Sequence, residues 1–373
     1  MKRNSLNQIK NSFKYKLLTL IILLIAAGCA PSADTTPTQY QSDPQASANV
    51  IYGGDGRMDV YQTSDEHLKA LASSTVALMK VSDLKVSGNL TLIQGENYGT
   101  QMNLCSSEKF REQDTAAFCS GSLIGPDLVL TAGHCIQNAS DCQSTALVFG
   151  FAVKSAGVLP QSVDNNEVYR CREIIKTQQV SNGADFAIIR LNRVVNNHAV
   201  LHYRTEGEVG LNDSLVVIGH PVGLPTKITV GGSVRSLANT QFILASLDTY
   251  GGNSGSAVFN AATGAIEGVL VRGEQDFESR GGCSVSKTCA DGACRGEDVT
   301  RISVVRAYIP TTPPVNPPVT PPPIPPTPPQ PPAPVLNDLF TSKVVVTIPD
   351  NLKTGVSSSL LVNRLPQNRK VIV

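Results

Sequence analysis

The sequence predicts an all-β protein, either a sandwich or a pair of barrels, and three observations carry that expectation. From Val50 to Ile309, short apolar runs enriched in Val, Ile and Leu are separated by Gly, Asn, Asp and Ser, the punctuation of strands and tight turns. Hydrophobic residues make up 41% of the chain while aromatics supply 5% and Trp is absent, so the core must rest on Val, Leu, Ile and Ala. Only Ser64–Ala72 reads as a helix, a short one, and no repeat of solenoid length is visible.

Taken in order, the chain opens with Lys2, Arg3, Lys10, Lys14 and Lys16 ahead of the apolar run Leu17–Ile25. That run is short for a membrane span and fits a signal peptide over 1–28. It ends in Ala26-Ala27-Gly28-Cys29, which resembles a bacterial lipobox with Ala26 in place of the usual Leu. Lipid on Cys29 would be the chain's one membrane contact and would place it as an outer-membrane or periplasmic lipoprotein; cleavage without lipid would leave it extracellular. Residues 29–49, rich in Ser, Thr, Pro, Gln and Ala, read as a tether or propeptide.

The folded domain is expected over 50–309. Its candidate strands include Leu128–Leu130, Ala146–Phe151, Asp185–Leu191, Ser214–Gly219, Phe242–Leu244 and Gly268–Val271. Residues 310–335 are dominated by proline, which can continue neither helix nor ladder, so they form an extended spacer; an SH3-type ligand is the functional alternative. In 336–373 the β-rich run Val344–Ile348 is followed by too few residues to close a sandwich, leaving an incomplete β segment.

A formal net charge of +1 with 16% charged residues gives no basic field, which argues against nucleic acid as a partner. Nine cysteines, eight once Cys29 is set aside, make an even number in an exported chain and point to disulfides. Zinc at Cys283, Cys289 and Cys294 is the alternative, but no nearby His or C-x-x-C pair supports it, so neither metal nor cofactor is expected.

Chemistry concentrates in three places. Gly251-Gly252-Asn253-Ser254-Gly255-Ser256 sets a serine on backbone able to bend sharply and to aim adjacent N–H groups at one point. Acyl transfer needs that arrangement, although most Gly/Ser clusters are merely turns. Upstream lie Thr131-Ala132-Gly133-His134-Cys135 and Ala184-Asp185-Phe186-Ala187-Ile188-Ile189. Asp185 heads an apolar run, where a carboxylate is costly unless paired, and a capping role is its bland reading. The chain order His…Asp…Ser differs from that of subtilisins and α/β-hydrolases, and Ser256 breaks the G-x-S-x-G elbow pattern.

On these motifs the chain, from Val50 to Ala307, resembles the trypsin/chymotrypsin-like serine peptidases, above all their bacterial glutamyl-endopeptidase branch, for which G-N-S-G-S is typical. The resemblance implies a chymotrypsin-like double β-barrel, a serine endopeptidase working as a monomer on polypeptides, and a Cys119–Cys135 disulfide. It assigns His134 as general base, Asp185 as the group that orients it, Ser254 as nucleophile, and the Gly252 and Ser254 amides as the oxyanion hole. His67, His198, His202 and His220 compete with His134, and Asp213 and Asp248 with Asp185. Cys105, Cys142, Cys171, Cys283, Cys289 and Cys294 should pair among themselves in an order the sequence leaves open. The tail from Val344 resembles the opening of the P (proprotein-convertase) domain, with its I-P-D-N…G-V-S-S pattern, and is truncated.

Substrate choice divides between two readings. Asp248 stands six residues before Ser254, where trypsins place the carboxylate that receives Arg or Lys. Relatives that cleave after Glu use a threonine, a histidine and a new N-terminal amine; Thr249 matches the threonine and Val50 the amine, but Leu270 occupies the place of the histidine. The expected preference is therefore for Arg or Lys. A catalytically silent binding or adhesion module and an esterase on the same residues are the rival functions.

Overall fold

The computed structural model describes residues 51–52, 54–290 and 294–310. The signal segment, Cys29, Val50, the proline-rich spacer and the segment 336–373 lie outside the described residues.

Six strands form the first barrel: β1 (Thr75–Lys80), β2 (Cys119–Gly125), β3 (Leu128–Thr131), β4 (Thr145–Val148), β5 (Val168–Gln179) and β6 (Asp185–Leu191). They are antiparallel throughout and run β4-β5-β6-β3-β2-β1, with β1 closing back onto β4. The two-residue turn Pro126-Asp127 joins β2 to β3, as a hairpin requires. Between β5 and β3, β6 is covered on both faces, which accounts for its unbroken apolar run Phe186–Ile189. The run expected over Ala146–Phe151 makes a strand only to Val148; Gly150, at φ +73°, turns the chain, while Phe149 and Phe151 still enter the core.

The second barrel comprises β7 (Ser214–Gly219), β8 (Lys227–Ser236), β9 (Phe242–Ser246), β10 (Ala257–Asn260), β11 (Ile266–Arg272) and β12 (Glu297–Arg301). Its order β7-β10-β11-β12-β9-β8 closes through the β7–β8 pair, and the short strand Arg57–Asp59 adds to β8. The helix, Glu66–Ser73, is capped by Asp65, whose side chain accepts the His67 and Leu68 amides.

One apolar cluster joins the barrels, with Val76, Leu123, Leu130 and Phe186 from the first packed with Ile218, Phe259 and Val269 of the second and with Ile302, which follows it. A second cluster, including Leu215, Val217, Ile243 and Leu270, belongs to the second barrel alone. The shared cluster fixes the barrels against each other, because close-packed interiors deform little. Disulfides join Cys119–Cys135, Cys142–Cys171, Cys105–Cys283 and Cys289–Cys294. Every one of these sulfurs is thereby committed, which removes the zinc alternative, and the bridges fit an extracellular or periplasmic protein.

Candidate active site

His134 stands on the one-turn helix Gly133–Cys135 just after β3, and Asp185 is the first residue of β6. The glycine of T-A-G-H-C has a steric cause: a Cβ at Gly133 would strike the Gln178 and Phe186 carbonyl oxygens. Close contact with β5 and β6 brings the imidazole to the carboxylate. His134 Nδ1 lies 2.8 Å from Asp185 Oδ2, and the His134 amide donates to Oδ1 at 3.1 Å. Asp185 is 2% exposed, so these donors offset a desolvation that an unpaired carboxylate could not bear.

From the second barrel, Thr300 Oγ1 accepts the Asp185 amide at 3.1 Å and donates to the Asp185 carbonyl at 3.0 Å. Gln241 Oε1 accepts the Ala184 amide at 2.8 Å. The Arg272 guanidinium reaches within 3.8 Å of Asp185 Oδ2. The residues that fasten Asp185 thus come largely from the other barrel.

Ser254 lies in the loop between β9 and β10. Its carbonyl accepts the Ser120 amide at 2.8 Å, and Cys135 Sγ is 3.8 Å from the same oxygen, so the serine loop abuts the histidine turn. The Gly255 amide donates to Leu270 O at 2.8 Å and the Leu270 amide to Ser256 O at 3.0 Å. Gly252 sits at φ +81°, in the left-handed region that glycine enters without strain. Among the described residues, the Gly252 and Ser254 amides donate to no protein acceptor, while the Asn253 amide between them donates to Tyr250 O at 3.1 Å. Two free amides beside a serine hydroxyl make a receptor for a developing oxyanion. No hydrogen bond joins Ser254 Oγ to His134; such bonds tighten when substrate arrives.

The competing residues have other surroundings; His202 takes part through its carbonyl, which accepts the Ile266 amide at 2.9 Å. Ser256 is fully buried and donates to Asn253 Oδ1 at 2.9 Å. His198 pairs with Glu167 at 2.6 Å and stacks on Phe149, and His67 lies beneath the turn at Gly264. His220 Nδ1 donates to Leu224 O at 3.0 Å, and burial lowers its pKa to about 4. Asp213 accepts the Gly210 amide at 2.8 Å.

Asp248 is buried, with Oδ1 accepting the Tyr52 amide and Oδ2 the Gly56 amide, each at 2.7 Å; burial raises its pKa against the pull of those two donors. Its carboxylate therefore anchors the segment 52–56 to the loop that leads to Ser254. Thr249 and Leu270 are wholly buried, and the Thr249 hydroxyl accepts a short hydrogen bond from Asn253 Nδ2. Two neighbours escaped sequence reasoning. Glu297 Oε1 accepts from Tyr52 Oη at 3.3 Å, whereas its buried Oε2 has no donor; burial first and Asp276 second hold this carboxyl well above its ordinary pKa. The guanidinium of the buried Arg57 pairs with Asp55 at 2.8 Å and covers the Tyr250 ring at 4.1 Å from its centroid. No local motif marks either residue, and a charge at an inward strand position is their sole signal.

Residues 119–269 match the model of the trypsin-like peptidase domain. The chain is 25% identical over 282 residues to the glutamyl endopeptidase of Bacillus licheniformis, an alignment covering 69% of this chain and 85% of that protein. Among solved structures, the VesB protease of Vibrio cholerae is similar at a TM-score of 0.42 and 16% identity, over 68% of this chain and 66% of that one, just under two thirds. A Glu endopeptidase in complex with MPD gives 0.39 and 19%, over 70% and 97%.

Proposed function

We propose that the chain, whose residues 119–269 match the trypsin-like peptidase domain, is a serine endopeptidase in which His134, Asp185 and Ser254 perform the chemistry. The observation that supports this is the 2.8 Å His134–Asp185 contact set against the serine loop with its two unengaged amides. Ser254 Oγ attacks the scissile carbonyl carbon as His134 Nε2 takes its proton. The carbonyl oxygen, now an anion, is received by the Gly252 and Ser254 amides. Breaking the C–N bond leaves an acyl-Ser254 ester, with His134 returning the proton to the departing amine. Water, deprotonated by His134, then releases the acid and restores the serine. Asp185 holds the imidazole in the tautomer with Nδ1 protonated and stabilises its cationic form without taking the proton.

For the residue before the scissile bond we propose Arg or Lys. Supporting this are the buried Asp248 and Glu297, both contacted by Tyr52, and Glu297 Oε2, an acceptor without a donor. The B. licheniformis relative is named for glutamyl cleavage; here Leu270 supplies no imidazole for such a site. Export with a lipid anchor at Cys29 remains part of the proposal.

A fluorophosphonate probe followed by peptide mapping tests the chemistry, and a peptide-library cleavage profile tests the preference. Modification at Ser254, lost in Ser254→Ala, with cleavage after Arg and Lys, is expected. An unlabelled protein would favour the binding-module reading, turnover of simple esters alone would favour the esterase, and cleavage after Glu alone would overturn the cationic pocket.

A further inference from the structure

Arg272 ends β11 on the second barrel with its side chain 20% exposed, and it makes a fork of contacts around the start of β6. Nε donates to Asp298 Oδ2 at 3.0 Å, and Nη2 donates to the Gly183 carbonyl at 2.8 Å. Nη1 lies 3.5 Å from the Val180 carbonyl and 3.8 Å from Asp185 Oδ2, the oxygen that also faces His134 Nδ1. Asp298 meets Arg295 on its other oxygen at 2.6 Å. Charges therefore alternate along the row Arg295, Asp298, Arg272, Asp185, His134.

We infer that Arg272 is a positioning residue for the acid–base pair, holding the 180–185 segment in place and supplying Asp185 with a second cation that competes with protonated His134. The inference rests on the triad reading above. A guanidinium is always charged, so its field on the imidazole is constant over the working pH range. Coulomb's law fixes the sign: a positive charge one carboxylate away disfavours imidazolium, while a negative charge beyond it favours imidazolium. Beyond the His134 turn, Asp141 on the helix Ala139–Ser144 accepts the Gln137 amide at 2.9 Å. On β5, Thr177 Oγ1 donates to Ile136 O at 2.9 Å, Gln178 is uncharged, and the Lys176 ammonium lies over Tyr308 at 4.9 Å. Cys135 is bridged and does not titrate.

The test is the pH dependence of kcat/KM for one peptide substrate at low salt, in wild type, Arg272→Gln, Arg272→Lys and Asp298→Asn. Arg272→Gln should raise the pKa of the acidic limb by about half a unit to one unit and lower kcat about tenfold as the 180–185 segment loosens. Asp298→Asn should move the same limb downward, because Arg272 then acts on Asp185 unopposed. Arg272→Lys should keep the limb within about 0.2 units of wild type, since the charge is retained, while kcat falls with the lost fork. Added salt should shrink both shifts. Shifts of the same sign in Arg272→Gln and Asp298→Asn, or an unmoved limb in both, would overturn the inference. If Arg272→Gln does not fold, Arg272→Lys against Asp298→Asn still decides. Failure of the triad reading would show separately, as a wild-type enzyme that the fluorophosphonate leaves unmodified at Ser254.

Discussion

In the first barrel, over residues 75–191, Asp185 is the one charged side chain buried among the described residues, whereas the second buries Lys227, Asp248, Glu267, Glu297, Asp298 and Arg301. The first is held instead by apolar packing and by two bridges internal to it, Cys119–Cys135 and Cys142–Cys171. In the second, most of the buried charges are paired: Lys227 with Asp59 at 2.8 Å, Glu267 with Arg204 at 2.6 Å, Asp298 with Arg272 at 3.0 Å and Arg301 with Glu208 at 3.2 Å. Buried pairs contribute little net stability compared with apolar residues of the same volume, so their use points to placement of specific groups. The contrast separates an apolar barrel that carries His134 and Asp185 from one whose polar interior surrounds the Ser254 loop.

If the lone buried charge of the first barrel serves chemistry and not stability, Asp185→Asn should lower kcat by roughly 10⁴ while the unfolding midpoint stays near that of wild type. Steady-state kinetics beside urea denaturation would check this, and a large loss of stability with ordinary kinetics would erase the distinction. Covalent bracing of that barrel predicts a different outcome for Cys119→Ser with Cys135→Ser. Opening this bridge, which spans a sequence separation of 16, should cost about 3 kcal/mol in the loop-entropy account, read from denaturation.

An effect of similar size, confined to a window of acid pH, lies in the second barrel, at His220. Its folded pKa of about 4 lies below the ordinary 6.5, so the unfolded chain binds more protons between those values. Stability from this group is present above pH 6.5 and is lost as pH falls toward 4, by about 3 kcal/mol. Asp248 and Glu297, with raised pKa values, act in the opposite sense and lose stability as pH rises. Comparing wild type with His220→Gln across pH 4 to 7 isolates the histidine: the variant should show the shallower acid decline, and parallel curves would remove His220 as its source.

Much of this was legible in the chain because the informative features are local. The T-A-G-H-C run needs its glycine against β5, and the apolar run after Asp185 marks a doubly covered strand. What escaped notice depends on distant partners. Strand β5, Val-Tyr-Arg-Cys-Arg-Glu-Ile-Ile-Lys-Thr-Gln-Gln, is largely half-exposed and carries two register shifts, so no alternation survives along it. Arg272 and Thr300 reach Asp185 from strands far along the sequence, and nothing in their neighbourhoods announces it. The position of Asp248 relative to Ser254 could be counted, but its two amide partners, 196 and 192 residues away, could not.

Those separations carry a consequence for the order of assembly. Strands β1 to β6 are contiguous in the chain, so the first barrel can close without any later strand. The second barrel must wait for β12 and must also recover Tyr52, Gly56 and the strand Arg57–Asp59 from the far end of the domain. Contacts of such long range are entropically late in folding. The barrel that carries Ser254 is therefore the last part to mature, after His134 and Asp185 have already been brought together.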